Sequence, residues 1–164
     1  MDSAQIVSLV LGAIGTSLGV LNFVIEMWKA KIRLRITPVA YYSGPNGYLT
    51  FSNSLFTEKV GLVPSIGVEV VNFSRFPVTI YEVGVAPNGR VSGGRQPISR
   101  YIIDGGEKLP FRLPERESLT IYSKHSINEF SITEKSLAYV KTACDKTVYG
   151  DSEAFKVIKR SFSG

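Results

Sequence analysis

The side chains best suited to covalent chemistry in this 164-residue sequence are its one histidine and its one cysteine. His125 and Cys144 would form a thiol–imidazole pair, which activates a cysteine nucleophile, if the fold brought them together. The residues around Cys144, Thr-Ala-Cys-Asp, are instead typical of a strand end, where a lone cysteine packs as a small apolar side chain. We therefore predict that the protein is not an enzyme.

Metal and cofactor chemistry has no better support in the sequence. One histidine and one cysteine are too few ligands for a zinc site, and no spacing of acidic residues matches a calcium-binding loop. The glycine motifs that bind phosphate or a dinucleotide, and the GxSxG motif of hydrolases, do not occur. We predict no metal and no cofactor.

The best candidate for binding is a loop rich in glycine and arginine, NGRVSGGR, over residues 88–95. Glycines let backbone N–H groups face an anion, and arginine donates paired hydrogen bonds to phosphate or carboxylate. The loop would bind a nucleotide, a lipid headgroup or an acidic segment of a partner protein; a solvated hairpin loop is the alternative. The residues that would form this anion site are Arg90, Gly93, Gly94, Arg95 and Arg100.

Three aromatic residues around a predicted turn offer a second surface. Phe73, Phe76 and Tyr81 would form a patch for a protein partner if all three were exposed. Packing into the core is the alternative for the same three residues.

The element that positions the rest of the chain, including all of these residues, is the apolar stretch at the start of the sequence. Residues 6–25 read IVSLVLGAIGTSLGVLNFVI and contain no charged side chain. A helix of this length is about 30 Å long, which matches the hydrocarbon core of a bilayer. We predict a transmembrane helix with its basic flank over residues 1–30, and an uncleaved anchor because residues 1–5 lack the basic side chain of a signal peptide.

Basic residues follow this helix, whereas Asp2 is the one charged side chain before it. The positive-inside rule therefore predicts an outside N-terminus and a cytoplasmic C-terminal domain. The single cysteine agrees with a reducing compartment. The net charge of +5 needs no nucleic-acid partner, because the basic cluster would contact anionic lipid headgroups. The predicted membrane-interface residues are Trp28, Lys29, Lys31, Arg33 and Arg35.

Small residues recur along the helix at spacings of three and four. Gly15 and Gly19 form a GxxxG motif, with Gly12 and Asn22 on much the same face. Small residues let helix backbones approach closely in lipid, so we predict a homo-oligomer associated through this face. The alternative is that glycine is simply common in membrane helices. Glu26, one turn beyond Asn22, would line a pore if the oligomer enclosed one.

After Lys31 the apolar residues alternate with polar ones, which is typical of strands. We predict a β-sandwich over residues 31–160, with one short helix capped by Ser126, and a loose tail over residues 161–164. Pro38 predicts an edge position in the first strand. Residues 52–61 and 91–100 are predicted to be loops. The predicted strands are 32–42, 48–51, 66–70, 78–85, 100–103, 109–113, 118–122, 137–143, 148–149 and 154–158.

Two segments resemble strands of immunoglobulin-like domains. They are VEVVNFS followed by FPVTI over residues 68–80, and LPERESLTI over residues 113–121. The resemblance covers residues 31–160 at the level of architecture, since the cysteine pair and the core tryptophan of antibody domains are missing. It implies a mainly β fold, an immunoglobulin-like antiparallel β-sandwich preceded by one transmembrane helix, and no particular function.

Two functions fit these features. The first is a single-pass, self-associating membrane protein that presents its cytoplasmic β-sandwich as an interaction or sensor module. The second is an oligomeric membrane effector or pore gated by a ligand on the β domain, similar to small bacterial membrane effectors of antiviral defence. In either case the short connection between helix and sandwich is expected to set how neighbouring domains face each other.

Overall fold

The computed structural model describes residues 2–44, 47–51, 65–90, 94–103 and 105–162. The chain forms two compact units, Met1–Ile32 and Arg33–Gly164. The loop predicted over residues 52–61 lies outside the described residues, as do residues 163 and 164 of the predicted tail.

The first unit is the helix α1, Ser3–Lys29. Asp2 is its N-cap residue, and the backbone N–H of Asp2 donates to Oε1 of Gln5 at 3.2 Å. The 19-residue stretch Val10–Trp28 is long and apolar enough to cross a membrane, and none of it is buried within the chain. The prediction of one apolar N-terminal helix of membrane-spanning length is therefore confirmed.

The second unit contains two antiparallel sheets. The described strands are β1 Leu34–Gly44, β2 Gly47–Phe51, β3 Ser65–Asn72, β4 Val78–Ala86, β5 Gln96–Pro97, β6 Tyr101–Ile103, β7 Phe111–Leu113, β8 Ser118–Ser126, β9 Leu137–Thr142 and β10 Thr147–Gly150. The first sheet has the order β2-β1-β3-β8-β6, and the second has the order β10-β9-β4-β5, with β7 also paired to β4. The predicted mainly β fold is thus confirmed in its coarse form.

The core comes from the alternating apolar residues of the central strands. Ile66, Val68 and Val70 of β3 are fully buried, as is Ile80 of β4. Burial of these branched side chains is the main favourable contribution to folding. The short helix predicted after Ser126 is present as a single 3₁₀ turn over Ile127–Glu129, with Ser126 as its N-cap. Strand β5 lies in a stretch predicted to be a loop. Its two residues are too few to show the alternation of apolar and polar side chains from which strands are predicted.

The connection between β3 and β4 crosses from the first sheet to the second. Asn72, at the end of β3, is fully buried. Its Nδ2 atom lies 3.0, 3.2 and 2.9 Å from the carbonyl oxygens of Phe76, Leu113 and Pro114. Its Oδ1 accepts the backbone N–H of Ser74 at 2.9 Å. Asn72 therefore holds the corner between the two sheets.

The end of the chain is helical, so the strand predicted over residues 154–158 is wrong. Helix α2 spans Glu153–Phe162 and includes the first half of the predicted loose tail. Ala154, Phe155 and Ile158 are buried at helical spacing. The Ser152 hydroxyl accepts the backbone N–H of Phe155 at 3.1 Å, as an N-cap does. The apolar residues of this short segment fit both the two-residue period of a strand and the 3.6-residue period of a helix, and packing against the rest of the domain favours the helix.

Among the described residues, Pro38 has a neighbouring strand on one side only, as predicted. It pairs with Val68 of β3, whereas the described part of β2 pairs with β1 from Ala40 onward. The Ser152 hydroxyl donates to the Pro38 carbonyl at 2.5 Å. Nearby, a Cβ atom on Gly150 would collide with the Ile36 carbonyl, so this close approach requires glycine. The chain just before α2 therefore covers this edge of β1.

Candidate functional site

The residues of the predicted anion loop do not form one site in the structure. Arg90 is exposed in the turn after β4, and residues 91–93, including Gly93, lie outside the described residues. Gly94 adopts a left-handed backbone with φ of 74°. Arg95 and Arg100, although only five residues apart, contact different strands.

Arg95 is bound to tyrosines of the second sheet. Its Nη2 atom donates to the Tyr149 hydroxyl at 2.8 Å, and its guanidinium carbon lies 5.6 Å from the centroid of the Tyr139 ring. Tyr139 is fully buried, and its hydroxyl donates to Oε1 of Glu82 at 2.6 Å. These contacts tie Arg95 to the β9–β10 hairpin, so its first role in the structure is cation–π packing.

Arg100 instead lines a groove of about 470 Å³ beside β6. Lys108 and Lys124 line the same groove, together with one described acidic residue, Glu107. The backbone N–H of Lys124 donates to the Arg100 carbonyl at 2.8 Å, which brings these two cations together across the β6–β8 pair. Sequence reasoning missed Lys108 and Lys124, because only strand pairing reveals that they neighbour Arg100.

The groove runs along an edge of the first sheet. Strand β6 pairs with β8, and β6 is the last strand in the sheet order of the described residues. The edge of a sheet carries backbone donors and acceptors that can bind an extended chain. Three cations beside such an edge are suited to an extended acidic segment.

His125 and Cys144 each contact other groups. His125 Nδ1 lies 2.7 Å from Glu129 Oε2, and its Nε2 lies 3.0 Å from Ser99 Oγ. The Cys144 thiol lies 3.1 Å from Thr142 Oγ1, in the turn between β9 and β10. Cys144 is exposed, so the prediction that it packs in the core is wrong. The chain turns at this point, with φ of 64° at Asp145.

The chain Ser99–His125–Glu129 has the order of a serine hydrolase triad. In working triads, however, the carboxylate is buried, and burial gives its charge its effect on the imidazole. The Glu129 side chain is 57% exposed. The hydrogen bond with His125 lowers the pKa of Glu129, because it stabilises the charged carboxylate. We therefore interpret these contacts as surface hydrogen bonds that join the 3₁₀ turn to β8 and to Ser99.

Among the described residues, no group of three or more histidine, cysteine, aspartate or glutamate side chains is placed to hold a metal ion. Comparisons of the chain with protein-family models, with curated proteins and with solved structures find no match.

The predicted association face of α1 is uncovered within the chain. Gly12, Gly15 and Gly19 are exposed, and a Cβ atom added to any of them would meet no described atom within 4 Å outside the adjacent helix backbone. The Thr16 hydroxyl donates to the Gly12 carbonyl at 2.8 Å, so it is satisfied inside the helix. Asn22 is also exposed.

The predicted membrane-interface residues are exposed as well, at Trp28, Lys31, Arg33 and Arg35; the Lys29 side chain lies outside the description. Of the three aromatic residues proposed as a patch, Phe73 and Tyr81 are 53% and 56% exposed. Phe76 is half-buried, so the three do not form one exposed patch.

The buried Tyr139 hydroxyl predicts a loss of stability in alkaline solution. Burial, and then the hydrogen bond to Glu82, raise the pKa of Tyr139 above its usual value of 10.0. Above pH 10 the unfolded chain releases this proton while the folded chain retains it. Stability is therefore retained below about pH 10 and falls above it, by at most about 1.4 kcal/mol per pH unit.

This dependence can be measured as the melting temperature of the full chain between about pH 9 and 11. We expect Tyr139→Phe to flatten the curve and Tyr81→Phe, at an exposed tyrosine, to leave it unchanged. An equally steep curve in Tyr139→Phe would show that another group causes the loss.

Proposed function

We propose that this chain is a single-pass membrane protein that presents its β domain to the cytoplasm as an interaction or sensor module. The observation that carries the proposal is the helix Val10–Trp28, which is apolar, long enough to span a bilayer and uncovered by the rest of the chain. Exposed basic residues follow it, as on the cytoplasmic side of a span. A binding role without catalysis is supported by the solvent exposure of Glu129.

An immunoglobulin-like arrangement is the finer fold that we propose for the β domain. It is supported by two antiparallel sheets and by the β3–β4 connection, which passes from one sheet to the other. Such sandwiches serve as binding modules in many unrelated proteins, so the fold is compatible with this function without specifying a partner.

Anchoring and orientation are tested with a reporter fused after Gly164 in a bacterial membrane. We expect a reporter that works only in the cytoplasm to be active, because four basic residues follow the apolar stretch 6–25 within ten residues. The fusion should also resist alkaline extraction of the membranes. Reporter activity on the outer side would contradict the orientation, and extraction into the soluble fraction would contradict the anchor.

Self-association through α1 is the second part of the proposal. Gly12, Gly15 and Gly19 leave the helix backbone accessible on one face, which allows close packing of two helices in lipid. The helix ends at Lys29 and β1 begins at Leu34, so the connection to the β domain is short. Association of the helices would therefore bring the β domains together in a defined way.

Oligomeric state in detergent tests this face. Gly15→Ile with Gly19→Ile should shift the full chain toward monomer by about tenfold or more in dissociation constant, since the branched side chains hold the backbones apart. The matched control is Ala13→Ile with Ser17→Ile, which has the same spacing about 200° around the helix. Equal effects of the two pairs would contradict a specific face.

An oligomeric effector or pore is the second candidate, and the placement of Asn22 and Glu26 favours it. The spacings from Gly15 through Gly19 and Asn22 to Glu26 are four, three and four residues, which put the two polar side chains on the association face. Polar residues on such a face are a mark of a polar pathway through the membrane. The test is dye leakage from vesicles that contain the full chain. Leakage that Gly15→Ile with Gly19→Ile abolishes would support the pore over the interaction module.

The groove beside β6 is the surface that we propose for recognition of an acidic, extended segment. Its three cations, Arg100, Lys108 and Lys124, would pair with carboxylates, and the β6 edge would pair with the backbone. The predicted anion site thus keeps Arg100 and gains two lysines. Arg95, which is bound to tyrosines, contributes less.

An oligoglutamate peptide is the probe for this groove, titrated against the full chain in nanodiscs of zwitterionic lipid. Lys108→Glu with Lys124→Glu should weaken binding about tenfold or more, and added salt should reduce the difference. The control, Arg90→Glu with Lys135→Glu, reverses two exposed charges elsewhere. If both pairs of substitutions weakened peptide binding equally, binding would depend on the overall charge of the protein, and the groove would not be a specific site.

A further inference from the structure

The loop between β3 and β4, residues 73–77, is bonded to the chain just after α1. We call these residues the corner loop. The backbone N–H of Phe73 donates to the Arg33 carbonyl at 2.8 Å, and the backbone N–H of Arg33 donates to the Ser74 hydroxyl at 2.8 Å. Ser74 is buried, and its bond with Arg33 is partly buried. Arg33 is the fourth residue after Lys29, the last residue of α1.

The outer side of the corner loop combines an exposed aromatic ring with arginines. Phe73 is 53% exposed, although most phenylalanine side chains of globular domains are buried. The Arg35 guanidinium carbon lies 5.5 Å from the centroid of the Phe73 ring. Arg75, within the loop, is also exposed. An exposed aromatic ring beside cations is costly to leave in water and is typical of a binding surface.

The neighbouring turn before β8 extends this surface. The backbone N–H of Arg116 donates to the Asn72 carbonyl at 2.8 Å, and the backbone N–H of Asn72 donates to the Glu117 carbonyl at 2.9 Å. Arg116 is exposed, as are Glu115 and Glu117 in the same turn. With Arg33, Arg35 and Arg75, this end of the domain carries four exposed arginines and two exposed glutamates.

We propose that the corner loop is a second membrane contact, which lies on the anionic leaflet at the end of the membrane-spanning helix. The inference rests on the proposed anchoring. Phe73 would enter the headgroup region, and Arg35 and Arg75 would donate to lipid phosphates. The lipid surface is the occupant that fits. The exposed arginines at this end of the domain outnumber the exposed glutamates, and the loop is bonded to Arg33, four positions beyond the end of α1.

The contact restrains the β domain at the bilayer. Each arginine beside an anionic leaflet favours the docked state about fivefold, so Arg35 and Arg75 together account for a twenty- to thirtyfold bias. Docking would therefore depend on anionic lipid, whereas insertion of α1 would not. This difference separates the loop from the anchor in an experiment.

Tryptophan fluorescence of the full chain in vesicles tests the contact. The background variant is Trp28→Tyr, which removes the one native tryptophan and keeps an aromatic side chain at the interface. Phe73→Trp then reports on the corner loop, and Tyr81→Trp, at a site of similar exposure on β4, is the matched control. We expect blue-shifted emission and quenching by brominated lipid for Phe73→Trp only, in vesicles that contain anionic lipid.

Charge variants and alkaline extraction distinguish failure of the loop contact from failure of the membrane anchor. Adding Arg35→Gln and Arg75→Gln should lower the ratio of docked to undocked loop, calculated from the quenching of Phe73→Trp, about tenfold or more while the chain still resists alkaline extraction. Water-exposed emission from an anchored chain would overturn the loop contact alone. A blue shift without quenching by brominated lipid would also overturn it, because protein would then cover the loop. Release of the chain by extraction would overturn both the anchor and the loop contact.

Discussion

The β domain depends on one buried side chain, Asn72. Its amide joins the end of β3, the corner loop and the end of β7 through contacts with three carbonyl oxygens. A buried carbonyl without a partner costs about 1–3 kcal/mol, so a corner with several of them would not be stable without the amide. The chain can therefore pass between the two sheets in five residues, and the same corner receives Arg33 and orients Phe73.

A second constraint acts beside Pro38 and Ile36 of β1, where the described residues place a paired strand on one side only. An uncovered edge exposes unpaired carbonyls and invites association with other strands. Here the Ser152 hydroxyl bonds the Pro38 carbonyl and also caps α2, while Gly150 allows the backbone to approach Ile36. The C-terminal helix is thus positioned by the same residues that cover the edge. This explains why a segment compatible with a strand becomes helical.

The distribution of charge follows from these constraints. Arg95 and Arg100 are close in sequence, but the register of the sheets sends one to the tyrosines of β9 and β10 and the other to the groove beside β6. The basic residues thereby form separate surfaces. One is the groove, which we assign to an acidic segment, and another is the corner loop, which we assign to lipid. A membrane-anchored module would use the two surfaces at once.

Within the part of the chain that the structure describes, the sequence alone was sufficient for the apolar helix, for nine of the ten strands within a few residues, for the Ser126 cap and for the edge position of Pro38. These features are local, because periodicity, capping and proline geometry act over a few residues. Tertiary structure alone decided the helical state of residues 154–158, the exposure of Cys144 and the grouping of Arg100 with Lys108 and Lys124. Each of these depends on contacts between residues distant in the chain, which local patterns do not encode. The apolar length of α1 follows directly from consecutive residues of the sequence, whereas the hydrogen bond between the corner loop and Arg33 forms only once the sheets have paired.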